Sequence, residues 1–298
     1  GRLQVPGRPR QYRTTKQFLR AFHLTSLDEL PEMPDLGGEG QMLMGALGMT
    51  LMGVPPIGDK LGVWSLPIGI LLGIILGAAW SAVAGFFRVK FHASEIVVTL
   101  MLNYTAEQFI SYMVFYPLRS GAEPQSAKIA AALPKLYQGS RINLGVIIAL
   151  ALTVVYAVVI RRTRFGYHLR ALGGSQRAAA YSGVNKNRYY FLAMLISGAF
   201  CGLAGAVQIS GNTRRLMEGV AGDFGFSGIV VAMLGSLHPV GIVIAALFMA
   251  LISAGSVTMQ VKTGIPVSFT SVLEALIVLF ILLGMAVSAA QSKRKKVG

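Results

Sequence analysis

The chain has 298 residues, 54% of them hydrophobic and 13% charged, with a mean hydropathy of +0.60. Soluble domains carry about twice that charge fraction, and the charges here are clustered, which argues against a soluble enzyme. The formal charge of +15 reads as Lys and Arg held on the cytoplasmic side of a membrane protein rather than as a nucleic-acid footprint.

Taken in chain order, residues 1–36 are charged and punctuated by proline. Residues 34–42, PDLGGEGQM, mark an abrupt change, after which the sequence is mostly apolar. Apolar windows fall at about 41–54, 62–87, 96–117, 142–160, 189–209, 226–256 and 268–290. Crossing a bilayer takes roughly 20 apolar residues in a helix. The spacing therefore predicts an all-α polytopic membrane protein, a bundle of about 7–8 transmembrane or re-entrant helices. The first window is too short to span alone, and the sixth is broken at His238-Pro239, where proline removes an N–H and predicts a bend or hairpin. The loop 161–188 carries seven Lys/Arg and no acid, so it is expected in the cytoplasm, as is the KRKK tail at 293–296. Both hold only if 226–256 makes two passes or a re-entrant pair.

Small residues recur every fourth position at Gly69, Gly73, Gly77, Ser81 and Gly85, and again at Gly198, Gly202 and Ala206, with Cys201 and Gly205 beside them. Such stripes let helix backbones approach in lipid, so they are expected to be packing faces. The third window differs. Asn103, Glu107 and Ser111 stand at i, i+4 and i+8, with Tyr104, Gln108 and Tyr112 alongside. A carboxylate at membrane depth faces a bundle interior or a watery cavity. Two readings are open: a polar clamp with Glu107 bonded to a neighbouring helix, or a face lining the path of a polar, ring-bearing solute. Gln41 joins Asn103, Tyr104, Glu107, Gln108 and Ser111 as substrate-path candidates.

No catalytic constellation is expected. His23, His92, His168 and His238 lack ligand-like spacing, so no metal site is expected, nor any cofactor. Gly37-Gly38-Glu39-Gly40 lacks the Lys-Ser/Thr pair of a phosphate loop. The lone Cys201 permits no intrachain disulfide. An intramembrane enzyme would need a second acid or His near Glu107, and none stands at helical spacing.

The order GGEGQMLMGAL (37–47), ASEIVVTLMLNY (93–104), TRFGYHLRALGGSQRAAAYSGVNKNR (163–188), AMLISGAFCGLAGAVQ (193–208) and GFSGIVVAMLGSLHPVGIVIAALF (225–248) resembles ABC-importer permeases of the branched-chain amino acid, simple-sugar and nucleoside family. The nucleoside and simple-sugar branch is the most similar. The resemblance covers about 37–290, leaving 291–298 as a basic cytoplasmic tail. It implies a multi-pass protein of the bacterial cytoplasmic membrane that works by alternating access, with an ABC ATPase subunit, a second permease subunit and an extracytoplasmic solute-binding lipoprotein as partners. It also implies an ATPase-coupling loop at Gly166, Tyr167, Arg170, Ala171, Gly173, Ala179, Ala180 and Gly183. A basic tether to anionic lipid is the plainer reading of that loop.

VPGRPRQYRTTKQFLRAFHLTSLDELPEMPDL, before the seam, resembles the C-terminus of segregation and condensation protein B. In that likeness GRLQVPGRPRQYRTT is the returning half of a β-wing, and Thr14 or Thr15 caps a helix with Phe18, Leu19 and Phe22 on its apolar face. About 36 residues cannot bury a core unaided, so a short winged-helix fragment is expected ahead of an N-terminally truncated permease. Chromosome segregation and branched-chain amino acid transport are the alternative functions.

Overall fold

The computed structural model describes residues 38–130, 132–136, 142–222 and 224–263, with isolated helical positions 272, 276, 279, 280 and 284. The winged-helix expectation for 1–36, most of the 268–290 window and the KRKK tail lie outside the described residues. All described residues belong to one compact unit, Asp35–Gly298.

The described residues are dominated by helices: α1 Gly38–Gly53, a short α2 Ile57–Leu61, α3 Ser65–Phe91, α4 Glu95–Phe115, α5 Leu144–Arg162, α6 Arg164–Gly174, α7 Gln176–Tyr181, α8 Lys186–Gln208, α9 Phe224–Leu234 and α10 Pro239–Thr263. Extended pairing is confined, among these residues, to three isolated bridges. Four stretches are long and apolar enough to cross a membrane: Ile57–Phe91, Leu144–Arg162, Lys186–Thr213 and Pro239–Lys262. The chain is an all-α polytopic membrane protein. At 21 residues α4 is also long enough, but its polar face makes it less apolar than those four.

The short first window becomes the centre of the bundle. Beyond its first turn, which carries Glu39 and Gln41, α1 is apolar on every side but for Thr50, and such a helix belongs in a core; 13 of its 16 residues are buried. Leu43, Leu47 and Met49 pack with Ala106, Ile110 and Val114 of α4 and with Ala206 and Ile209 at the end of α8. α3 and α8 enclose α1 through glycine. The buried residues of α3 are Ser65, Gly69, Gly73, Gly77, Ser81, Ala84 and Gly85, and those of α8 are Met194, Gly198, Gly202, Gly205 and Ala206. A methyl group on Gly48 would lie 2.8 Å from the Gly73 Cα; one on Gly77 would lie 2.5 Å from the Gly198 carbonyl oxygen. The three backbones therefore touch directly, which only residues without a Cβ permit. Ser81 Oγ adds a hydrogen bond to the Met194 carbonyl at 2.7 Å.

The sixth window divides in two. α9 ends at Leu234, the turn places Ser236 and Leu237 at positive φ, and α10 starts on Pro239, where proline's missing N–H costs nothing. With 11 residues, about 16 Å at 1.5 Å per residue, α9 is half a span. Opposite the 161–188 end, residues 116–130 and 132–136 of the connection between α4 and α5 lie across the bundle. Ala130 N–H donates to Gly53 O at 2.8 Å, Ile129 N–H to Arg214 O at 3.0 Å and Leu133 N–H to Ser210 O at 3.0 Å, sealing the C-terminal end of α1.

Candidate functional site

α1 begins in the bundle interior, so its first-turn N–H groups need partners other than water. Asn103 of α4 supplies one: its Oδ1 accepts from Gly40 N–H at 2.9 Å, and the side chain is 5% exposed. Asn103 thus caps a helix that precedes it by some sixty residues. The next residue, Tyr104, is 63% exposed and points away from the core. Successive helical residues are about 100° apart, so a face wide enough to hold both straddles the interior and the exterior. Asn103→Leu will leave a buried donor unmade, a loss of about 1–3 kcal/mol, while Tyr104→Leu will be nearly neutral. Thermal unfolding midpoints of the two variants in detergent check this contrast.

Beyond Asn103 the same helix borders a cavity of about 490 Å³. Glu39 and Leu43 of α1, Glu107, Gln108, Ile110 and Ser111 of α4, and Glu218, Gly219, Ala221 and Gly222 of the segment after α8 line it. That segment is held in register: Ser126 N–H donates to Leu216 O and Leu216 N–H to Ser126 Oγ, each at 2.9 Å. Ser111 Oγ in turn donates to Glu218 Oε1. Three carboxylates share the cavity with an amide and a hydroxyl, and no Lys or Arg lines it. Among the described residues no group of His, Cys, Asp and Glu is arranged to hold a metal ion. The cavity is therefore rich in hydrogen-bond acceptors.

Of the six path candidates, Glu107, Gln108 and Ser111 line this cavity. Asn103 and Gln41, the latter 2% exposed, lie in the packed interior, and Tyr104 is outside. The clamp is made by Asn103 rather than Glu107. Sequence reading missed Glu39 and Glu218. The signal was present, since only 12 of 298 residues are acidic, and an acid flanked by apolar segments needs a reason to be there.

At the other end of the molecule α5 turns sharply into α6. Thr163 Oγ1 donates back to Val159 O at 2.6 Å and accepts from Gly166 N–H at 3.2 Å, so one hydroxyl ends α5 and caps α6. Any Cβ at Gly166 would strike Ile160, reaching 2.5 Å from its Cα. α6 also rests on α8, with the Phe165 and Tyr189 rings stacked at 5.7 Å and His168 and Tyr189 at 5.2 Å. Lys186 Nζ donates to Gln176 Oε1 at 2.6 Å. Of the loop candidates, Tyr167, Arg170, Gly173, Ala180 and Gly183 are exposed, Ala171 is half-buried, and Gly166 and Ala179 are buried. Gly183 takes a φ of +78° and closes α7 with its N–H on Ala180 O at 3.0 Å, while Val184 N–H bonds Ala179 O at 3.1 Å, as left-handed helix caps do.

Comparison with known proteins places this architecture. Residues 30–283 match the model of the branched-chain amino acid transport system permease component, and residues 1–33 match that of the segregation and condensation complex subunit ScpB. The chain is 31% identical to the guanosine ABC transporter permease protein NupP of Bacillus subtilis, over 89% of this chain and 77% of that protein. It is 32% identical to the glucose ABC transporter permease protein TsgB13 of Haloferax volcanii, over 83% of this chain and 68% of that one. Against the nucleoside ABC transporter permease protein NupB of Lactococcus lactis the identity is 28%, over 99% and 85%. No solved structure matches. With a family match across most of its length, four apolar spans and helices joined backbone to backbone, the chain belongs to the branched-chain amino acid transport system permease family.

Proposed function

We propose that the chain is the permease subunit of an ABC importer that carries a nucleoside or simple sugar across the bacterial cytoplasmic membrane. The acceptor-rich cavity of Glu39, Glu107, Gln108, Ser111 and Glu218 is the observation that carries this reading. Carboxylates bind hydroxyl donors strongly, and ribose or hexose offers several. The ammonium of a branched-chain amino acid would pair with one of these carboxylates, but its aliphatic side chain would desolvate the others and give nothing back. The similarity to guanosine, nucleoside and glucose permeases supports the same substrate class.

In this reading ATP is hydrolysed in a separate subunit that docks on α6 and α7. Through Thr163 and Gly166 a displacement of α6 reaches α5, and through Phe165 and His168 it reaches α8. A second permease subunit covers the exposed face of α4, where Tyr104, Glu107 and Tyr112 would otherwise meet lipid, and an extracytoplasmic binding protein delivers the solute. Residues 37–290 form the permease body and 291–298 its tail. The likeness to the segregation subunit is confined to residues 1–33, outside the segments that the transport reading uses. Uptake of labelled guanosine, glucose and leucine by cells carrying the complete importer tests the assignment. Saturable guanosine or glucose uptake supports it; uptake of leucine alone overturns it in favour of a branched-chain amino acid permease. Glu218→Gln and Glu107→Gln should each weaken solute half-saturation by about tenfold, the loss of about 1.4 kcal/mol from one charge-assisted hydrogen bond. Concentration-dependent uptake by these variants is the measurement.

A further inference from the structure

A second large cavity, about 530 Å³, is a groove between α5 and the first turns of α10. Leu150, Val154 and Val158 form one wall, Val240, Val243 and Ile244 the other. Thr153, the single hydroxyl in the lining, donates to its own helix at Ala149 O, 2.9 Å away. The groove is thus apolar along its length, and Val154 and Ile244 are each 63% exposed.

Its foot is different. Arg161 and Arg162 occupy the last turn of α5 and both are exposed. Arg161 Nη2 donates to His238 Nε2 across the groove. Among the described residues neither arginine pairs with a carboxylate. From Leu150 to Arg161 the helix rises about 16 Å at 1.5 Å per residue, roughly half the ~30 Å hydrocarbon core. The groove is one leaflet deep.

We propose that it holds one anionic phospholipid, with an acyl chain along the seam of α5 and α10 and the phosphate between Arg161 and Arg162. Only such a molecule satisfies both parts. A zwitterionic lipid brings its own ammonium beside the phosphate and leaves the charge of the two guanidinium groups uncompensated, and a free phosphate leaves the apolar walls uncovered. Basic pockets between helices at the cytoplasmic face are suited to anionic head groups, and the neighbouring 161–188 loop is the basic one. The site does not depend on which solute is carried; it rests only on the chain spanning a membrane. Because α5 continues into α6 through Thr163, a bound lipid would hold the base of that lever.

Native mass spectrometry of the full-length chain in its assembled importer, titrated with dioleoylphosphatidylglycerol or dioleoylphosphatidylcholine, tests the proposal. One phosphatidylglycerol should bind more tightly than any phosphatidylcholine. R161Q and R162Q should each weaken it by about fivefold and the double variant by about twenty-five-fold, whereas R161K/R162K should keep most of the binding. Ala157→Phe, which fills the groove and leaves both charges, should also expel the lipid. Equal binding of the two lipids overturns the proposal, as does full binding by R161Q/R162Q or by Ala157→Phe. So does displacement by glycerol 3-phosphate, which would make the site one for phosphate alone, or crosslinking of Val154 to another protein chain, which would make it an interface.

Discussion

Gly202→Leu will leave almost no folded protein in the membrane, while Gly255→Leu will fold like the parent chain. Gly202 lies where α8 crosses α3. A Cβ there would come within 2.4 Å of the Gly73 carbonyl oxygen and 3.0 Å of the Gly77 Cα, and its nearest neighbours are all backbone. Overpacking against movable side chains costs about 1–3 kcal/mol. Here no rotamer can yield, so the helices must separate and the loss exceeds that range. It also spreads, because Gly45 of α1 faces the same point and a Cβ on Gly73 would sit 2.8 Å from its carbonyl oxygen. Parting α3 from α8 opens the enclosure of α1, on which the core depends. Gly255 on α10 has nothing within 4 Å of its Cβ position, and leucine has the better helix propensity by about 0.5–1 kcal/mol. Monodisperse yield after detergent extraction measures both. Equal yields would mean that the close glycine crossing does not hold the bundle together.

Helix positions and small-residue stripes were legible because they are periodic and local. Gly69, Gly73 and Gly77 repeat every fourth residue, and helical geometry alone puts them in one row. Which helix they meet was not legible, since Gly73 meets both Gly45 and Ala206, partners that belong to two other windows. The cavity was half legible for a similar reason. Glu107 and Ser111 share a stripe on α4, but Glu39 and Glu218 lie 68 residues before and 111 after Glu107. Only the packing of three segments makes them neighbours. Asn103 illustrates the limit of a one-helix reading: its spacing grouped it with Glu107, yet its oxygen serves the first turn of α1. The 41–54 window is too short to span alone, and length is the only property of it that the sequence makes visible. Its burial on all sides needed α3, α4 and α8 to be in place.

Gly173→Leu should cut transport by about tenfold or more while leaving both the fold and basal ATP hydrolysis intact. Of the four glycines in the α6–α7 region, Gly166, Gly173 and Gly183 have surroundings that separate their roles. Gly166 is fixed by its own chain, since any side chain strikes Ile160. Gly183 is fixed by its backbone, whose φ of +78° costs a leucine about 1–2 kcal/mol. Gly173 has neither constraint: it is exposed, lies inside α6, and nothing stands within 4 Å of its Cβ position. Leucine there is harmless to this chain taken alone. A loss of transport can therefore arise only from a surface that meets Gly173 from outside. Allosteric coupling is worth about 1–3 kcal/mol, so blocking the docking should cut solute uptake by about tenfold or more at unchanged protein level. Solute-stimulated ATP hydrolysis should vanish with it. Uptake and ATPase rates measured on the same reconstituted importer decide the matter. Unchanged uptake with leucine at 173 would leave the loop as a basic tether to lipid. In that case neutralising Arg164 and Arg170, rather than filling the space beside Gly173, would be what weakens transport.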